Sequence, residues 1–221
     1  DLDSKKLGDI DGCIFAFTVP SAELEARLEE REIPFVLLNR ESPENNYVMV
    51  DGFGGMGKLV DALWKKRGAK LKPCYIGFAP LPGVSKRRED GFVSACRSRS
   101  IPVGDGDLYT IETIAELTGP VLDDIAAKGY NALVCFNDMV AISAYQTALH
   151  RLLRIPADFS LTGFDNSPIL DLMDQRIDTV EFSLRKLGRE AGYWLRCRTI
   201  ERKDEVLQKN LEGDYIPGET I

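Results

Sequence analysis

Hydrophobic residues in this chain fall into short runs that stop abruptly on polar residues, with amphipathic stretches between them. Asp11-Gly-Cys-Ile-Phe-Ala-Phe17 reads as a strand, and Ser21 can cap a helix in which Leu24 and Leu28 share one face. Strands are predicted at Ile33–Leu38 and Tyr47–Val50, then a helix with Met56, Leu59, Val60, Leu63 and Trp64 on one stripe. Cys74–Phe78 is a strand, and the helix after it carries Phe92, Ala95 and Cys96. A short strand near Leu108-Tyr109 precedes a helical stretch to Lys128. Next come a strand at 132–136, a helix from about Met139 to Leu153 and a strand at 159–164. Val180 lies in a short strand, Ser183 caps a helix to about Ile200, and a turn-rich apolar segment ends at Ile216-Pro-Gly. Alternation of this kind predicts an α/β fold with parallel sheets flanked by helices. Asp1 to Gly8 reads as the tail of a helix, and three strands before residue 51 would leave an exposed apolar edge. Further strands are therefore expected upstream of Asp1.

Two strand ends are chemically similar. Ala132-Leu-Val-Cys-Phe136 ends on Asn137-Asp138, and Phe159–Phe164 ends on Asp165-Asn166. In open α/β sheets ligands bind outside the C-terminal ends of the strands, so two adjacent tips carrying Asn and Asp suggest one polar site. The competing role for each residue is capping the next helix. Capping is preferred for Asp138; for Asn137 and Asp165 the two roles stand level. Asp51 also sits at a strand tip. Arg88 lies in Arg88-Glu-Asp-Gly-Phe92, where a guanidinium could hydrogen-bond a polyol or carboxylate, or simply belong to a solvated helix face.

Composition narrows the function. The chain has 221 residues, 44% of them hydrophobic, enough for one or two domains with a core. A net charge of -7 argues against direct nucleic-acid binding, and the basic runs Lys65-Lys66-Arg67 and Lys86-Arg87-Arg88 read as helix faces. Five scattered cysteines without a C-x-x-C pair fit buried free thiols in a reducing, cytoplasmic setting. One histidine, His150, leaves no His-rich metal set, and no run of 18 apolar residues spans a membrane. Gly52-Phe-Gly-Gly-Met-Gly57 has the spacing of a dinucleotide fingerprint, but the next strand ends Phe78-Ala79-Pro80 without the ribose-binding acid. A glycine-rich helix entry is the plainer reading. Without a nucleophile–base set or a phosphate loop, no enzyme and no cofactor is expected.

Taken in order, these segments resemble the effector-binding core of the LacI (lactose repressor) family of transcription regulators. The resemblance is carried by Asp11-Gly-Cys-Ile, Ile33-Pro-Phe-Val-Leu-Leu-Asn-Arg40, Tyr47-Val-Met-Val-Asp51, Arg88-x-x-Gly-Phe92, Asn137-Asp138, Ile155-Pro-x-Asp-x-Ser160, Gly163-Phe-Asp-Asn166 and Leu187-Gly-Arg-Glu-Ala191. It implies a two-lobed, periplasmic-binding-protein-like fold with an incomplete N-terminal lobe. Residues 1–50 and 183–204 would form that lobe, and 51–182 and 205–221 the other. It further implies a small-molecule effector, sugar-like in chemistry, held between lobes by Arg88, Asn137 and Asp165. Asp51 would be a further contact, and Tyr109 would stand in for a stacking aromatic. Operator DNA would be bound through a helix-turn-helix domain absent from this chain, as a homodimer. Gly68-Ala69 and Arg176 depart from the family's usual Gly-His and Pro. A solute-binding protein of a sugar transport system, which would share the fold, is the alternative.

Overall fold

The computed structural model describes residues 9–40, 42–117 and 119–221. The expected helix tail at Asp1–Gly8 lies outside the described residues. The chain divides into two compact units, Asp1–Asp51 with Ser183–Leu211, and Gly52–Phe182 with Glu212–Ile221.

The first unit is built on a parallel sheet. Its strands are β1 (Cys13–Ala16), β2 (Phe35–Leu38), β3 (Tyr47–Val50) and β9 (Gln208–Leu211), in the order β1-β2-β3-β9. Helix α1 (Ala22–Glu30) starts where the Ser21 hydroxyl accepts from the Leu24 amide at 3.2 Å, and α6 (Leu184–Thr199) where Ser183 accepts from Lys186 at 3.2 Å. Leu28, Phe35, Leu37 and Met49 are buried in the core, with Phe15 edge-on to Phe35 at 5.7 Å. Strand β9 reads Gln-Lys-Asn-Leu, and its first three side chains are exposed. It therefore carries no hydrophobic period, and only its ladder to β3 reveals it. This pairing corrects the expected boundary: residues 205–211 go with the first unit because β9 completes its sheet.

The second unit has a sheet of order β5-β4-β6-β7, parallel throughout: β4 (Pro73–Phe78), β5 (Leu108–Ile111), β6 (Ala132–Cys135) and β7 (Ser160–Thr162). Every residue of β6 and β7 is buried, as expected for parallel strands covered on both faces. Four α-helices belong to the unit among the described residues: α2 (Gly52–Arg67), α3 (Pro82–Ser98), α4 (Gly119–Ala127) and α5 (Asp138–His150). Past β7 the chain pairs with β8 (Thr179–Glu181), Gly163 N–H donating to Asp178 O at 2.8 Å and Asp165 N–H to Val180 O at 2.9 Å. Strand β10 (Asp214–Ile216) then runs antiparallel to β8. Close by, the buried Thr220 donates its hydroxyl to Leu161 O at 2.7 Å and its amide to an Asp178 carboxylate oxygen at 2.9 Å.

The glycine-rich motif is helical, as the plainer reading had it. Gly52–Gly57 all lie in α2. A Cβ on Gly55 would sit 2.5 Å from the Phe164 ring, and one on Gly91 of α3 would sit 2.4 Å from the Phe53 carbonyl oxygen. These glycines let α2 approach α3 and Phe164 closely; they do not open a phosphate loop. The five cysteines are free thiols, all but Cys13 buried. Among the described residues no helix is long and apolar enough to cross a membrane.

Candidate functional site

The C-terminal ends of β4 and β6, and the turn after β7, each carry a phenylalanine: Phe78, Phe136 and Phe164. Arg88, in the second turn of α3, reaches these ends and is only 3% exposed. Its guanidinium carbon lies 3.9 Å from the Phe164 ring centroid and 4.6 Å from that of Phe136. One terminal nitrogen donates to Phe136 O at 2.6 Å, and the other to the Asp165 carboxylate at 2.8 Å. Its Nε is buried without a hydrogen-bond partner. The basic run Lys86-Arg87-Arg88 is thus not a uniform solvated face, because Arg88 points inward and is sandwiched between rings.

Asp165 has a φ of 107° and Asn166 a φ of 52°. Positive φ at non-glycine residues costs on the order of 1–3 kcal/mol and persists only where the surroundings enforce it. The enforcing contacts are the Asp165 amide on Val180 O and the Arg176 guanidinium on the Asn166 side-chain oxygen at 2.8 Å. The Asp165 side chain keeps 31% of its surface exposed, and its second oxygen has no partner among the described residues. Burial pushes its carboxyl pKa up, with Arg88 pulling it down.

Asp138, 1% exposed, opens α5 and braces the β7 turn. One carboxylate oxygen accepts the Thr179 hydroxyl at 2.6 Å, the other the Ser167 amide at 2.6 Å, and the Asp138 amide donates to Phe164 O at 2.8 Å. A Cβ on Gly163 would lie 2.2 Å from that carboxylate, so glycine is required there. Burial raises the Asp138 carboxyl to about 7, opposed by the Thr179 and Ser167 hydrogen bonds. Its role is structural, but it is not the expected helix cap: Asn137 caps α5, and Asp138 clamps the turn after β7.

Asn137 caps α5, its side-chain oxygen accepting from the Val140 amide at 3.0 Å. Its amide nitrogen has no partner among the described residues. The structure therefore brings Arg88, Asn137 and Asp165 to one group of strand ends, with Asp138 beneath them.

Of the other two candidates, only Tyr109 is seen to lie away from these strand ends. Asp51 ends the first segment of the first unit, its amide donating to Leu211 O at 2.8 Å, and a Cβ on the next residue, Gly52, would lie 3.0 Å from the Arg88 Cγ. Tyr109 is aligned with Ile76, short of the strand end at Phe78. Its hydroxyl donates to Asp124 at 3.0 Å and accepts from Lys128 at 3.0 Å, and its ring meets Tyr130 edge-on at 6.3 Å. These contacts, with Asp124 on α4 and with Lys128 and Tyr130 just past it, hold Tyr109 away from the strand tips. The aromatics that do reach them were missed in the sequence, although a signal was there: Phe136-Asn137 and Phe164-Asp165 each place a ring before the polar tip, and Phe78 closes β4.

Known proteins supply the frame for this geometry. The family profile of the periplasmic binding protein-like domain matches residues 60–221. The chain is 27% identical over 221 residues to the HTH-type transcriptional regulator DegA of Bacillus subtilis, covering 96% of this chain and 63% of that protein. It thus spans somewhat under two-thirds of that relative. A solved regulatory protein of the LacI family from Chloroflexus aggregans superposes with a TM-score of 0.85 at 22% identity, over 98% of this chain and 78% of that one. A LacI-family regulator from Enterococcus faecium, solved with bound ribose, superposes with a TM-score of 0.80 at 20% identity, over 97% and 80%. The chain belongs to the periplasmic binding protein-like domain family, and its relatives there are regulators of the LacI family.

Proposed function

We propose that this chain is the ligand-sensing core of a cytoplasmic LacI-family transcription regulator, and that a small polar, sugar-like metabolite binds through Arg88, Asn137 and Asp165. The observation that carries this reading is the Arg88–Asp165 pair. Its guanidinium is 3% exposed with an unpartnered Nε, and its carboxylate has an open oxygen at the strand ends. Buried polar atoms without partners cost about 1–3 kcal/mol each, which a hydroxyl-bearing ligand would recover. A charged pair backed by two phenyl rings offers fixed donors and acceptors to adjacent hydroxyls, the chemistry of a polyol. The bound ribose of the Enterococcus faecium regulator agrees with such a ligand.

In the whole protein the effector would alter operator binding by a helix-turn-helix domain, within a homodimer. An effector can do this only through different affinities for two states of the regulator. The named relatives are all regulators, so the transport alternative gains nothing from them.

The test begins with thermal melts against pentoses, hexoses, disaccharides and nucleosides, followed by calorimetry of the best hit. Asp165→Ala should weaken that ligand by about 2 kcal/mol, roughly thirtyfold, because it removes a charged acceptor and unpairs Arg88. Equal affinity in parent and variant would refute the site assignment.

A further inference from the structure

The second unit holds a cavity of about 590 Å³ at the pole of its sheet opposite Arg88, where Pro73 begins β4. Its walls are apolar: Leu71 and Ile101 are buried, and Pro102, Val103 and the Tyr130 ring continue the surface. Three cations, Lys72, Arg97 and Lys128, also line it. Among the described residues the only acid lining it is Asp107, which is already committed, accepting the Tyr130 hydroxyl at 2.6 Å and the Gly104 amide at 2.7 Å. Lys128 is committed as well, to Asp124 at 2.7 Å and the Tyr109 hydroxyl at 3.0 Å. The side chains of Lys72 and Arg97 have no hydrogen bond or ion pair among the described residues, and both are exposed.

An apolar cavity of drug-like size with two uncommitted cations on it is matched to one class of ligand. A hydrophilic sugar would leave the Leu71–Ile101 wall unsatisfied, and a neutral hydrocarbon would leave Lys72 and Arg97 unused. We propose that this cavity is a second ligand site, taking a small organic anion: a ring or branched apolar body bearing a carboxylate or phosphate. The body lies against Leu71, Ile101 and Val103, and the anionic group meets Arg97 and Lys72. The site is separate from the Arg88 cluster, since Arg97 follows Arg88 by nine residues on α3, about 13 Å along the helix axis. Because both ends of one helix are engaged, occupancy here bears directly on the element that carries Arg88. The proposal does not depend on the identity of the sugar-like effector or on the site assigned to it.

The test is methyl NMR of the full chain, titrated with benzoate, phenyl phosphate and the neutral benzyl alcohol. Both anions should shift the methyl signals of Leu71, Ile101 and Val103 saturably, phenyl phosphate binding more tightly. Benzyl alcohol should bind less tightly than either anion. Lys72→Gln and Arg97→Gln should each weaken the anions about fivefold, as for an exposed charge pair, and leave benzyl alcohol unchanged. Added salt should narrow the difference between anion and alcohol. The proposal is overturned if neither anion shifts these methyls, if benzyl alcohol binds as well as the anions, or if the double variant binds benzoate like the parent. Both side chains are exposed, so the variants keep the fold, and the unshifted remainder of the spectrum verifies it.

Discussion

Two alanines placed on neighbouring helices should have opposite effects. An added Cβ at Gly91 would lie 2.4 Å from the Phe53 carbonyl oxygen, 2.8 Å from its Cα and 2.9 Å from its carbonyl carbon. Carbon–oxygen contacts normally begin near 3.3 Å, so α2 and α3 would have to part by roughly 1 Å. All three atoms are backbone, so no rotamer change relieves the clash. Overpacking of this kind costs about 1–3 kcal/mol, while replacing glycine in a helix interior returns about 1 kcal/mol. The clash is with backbone alone, so the upper part of that range, about 2–3 kcal/mol, applies, and Gly91→Ala should destabilise by about 1–2 kcal/mol net. Gly57 of α2 has nothing within 4 Å of its would-be Cβ, so Gly57→Ala should keep the full gain of about 1 kcal/mol. The gap of roughly 2–3 kcal/mol corresponds to roughly 5–10 °C in melting temperature for a chain of this size. Calorimetry of both variants in one buffer reads it directly. Gly91→Ala should also weaken the effector, because α3 carries Arg88 to Phe136 and Asp165. If Gly91→Ala melts at or above Gly57→Ala, the close helix approach is refuted.

Two further outcomes are expected. The folded-state pKa of Asp138 is raised from 3.8 to about 7, so the folded state holds its proton more tightly than the unfolded chain. The stability this gives is full below the unfolded value and is lost as pH rises to about 7, on the order of 4 kcal/mol in all. Urea titrations between about pH 4 and 8 should show that decline in the parent and a flatter profile in Asp138→Asn; identical slopes would remove Asp138 as the cause. Thr220→Val takes a donor from Leu161 O and an acceptor from the Asp178 amide, both buried. It should cost about 2–4 kcal/mol in chemical denaturation, and a neutral result would show that water replaces the hydroxyl.

The strand–helix alternation was legible because parallel strands buried on both faces read as unbroken apolar runs, as in Ala132–Cys135. The Ser21 and Ser183 caps were legible because an N-cap hydroxyl needs only local sequence. Strand β9 was not, since exposed Gln208, Lys209 and Asn210 carry no burial signal and the strand exists through its partner. At the site, Asn137 and Asp165 could be read from position alone, being the polar residues that end apolar runs. Arg88 was set apart from its basic neighbours only by the Arg88-x-x-Gly-Phe92 resemblance; its inward packing between Phe136 and Phe164, which are distant in sequence, was not legible. Tyr109 was misplaced for a related reason: its partners are Asp124 on α4 and Lys128 just past that helix, and nothing within β5 announces them.

The clasp of Thr220 on Asp178 also bears on how the chain is made. Asp178 is 2% exposed, and its carboxylate is held by Thr220 and the Tyr215 hydroxyl, 42 and 37 residues later. On a ribosome, every nascent chain that stops short of Tyr215 must either hydrate Asp178 or bury an uncompensated carboxylate. The β7–β8 edge of the second unit thus waits until Tyr215 and Thr220 have been made before it can lock. During that interval the buried faces around Leu161 and Val180 are open to chaperones and proteases. Truncations or nicks after residue 211 should accordingly be cleared by proteolysis rather than accumulate as a folded remnant.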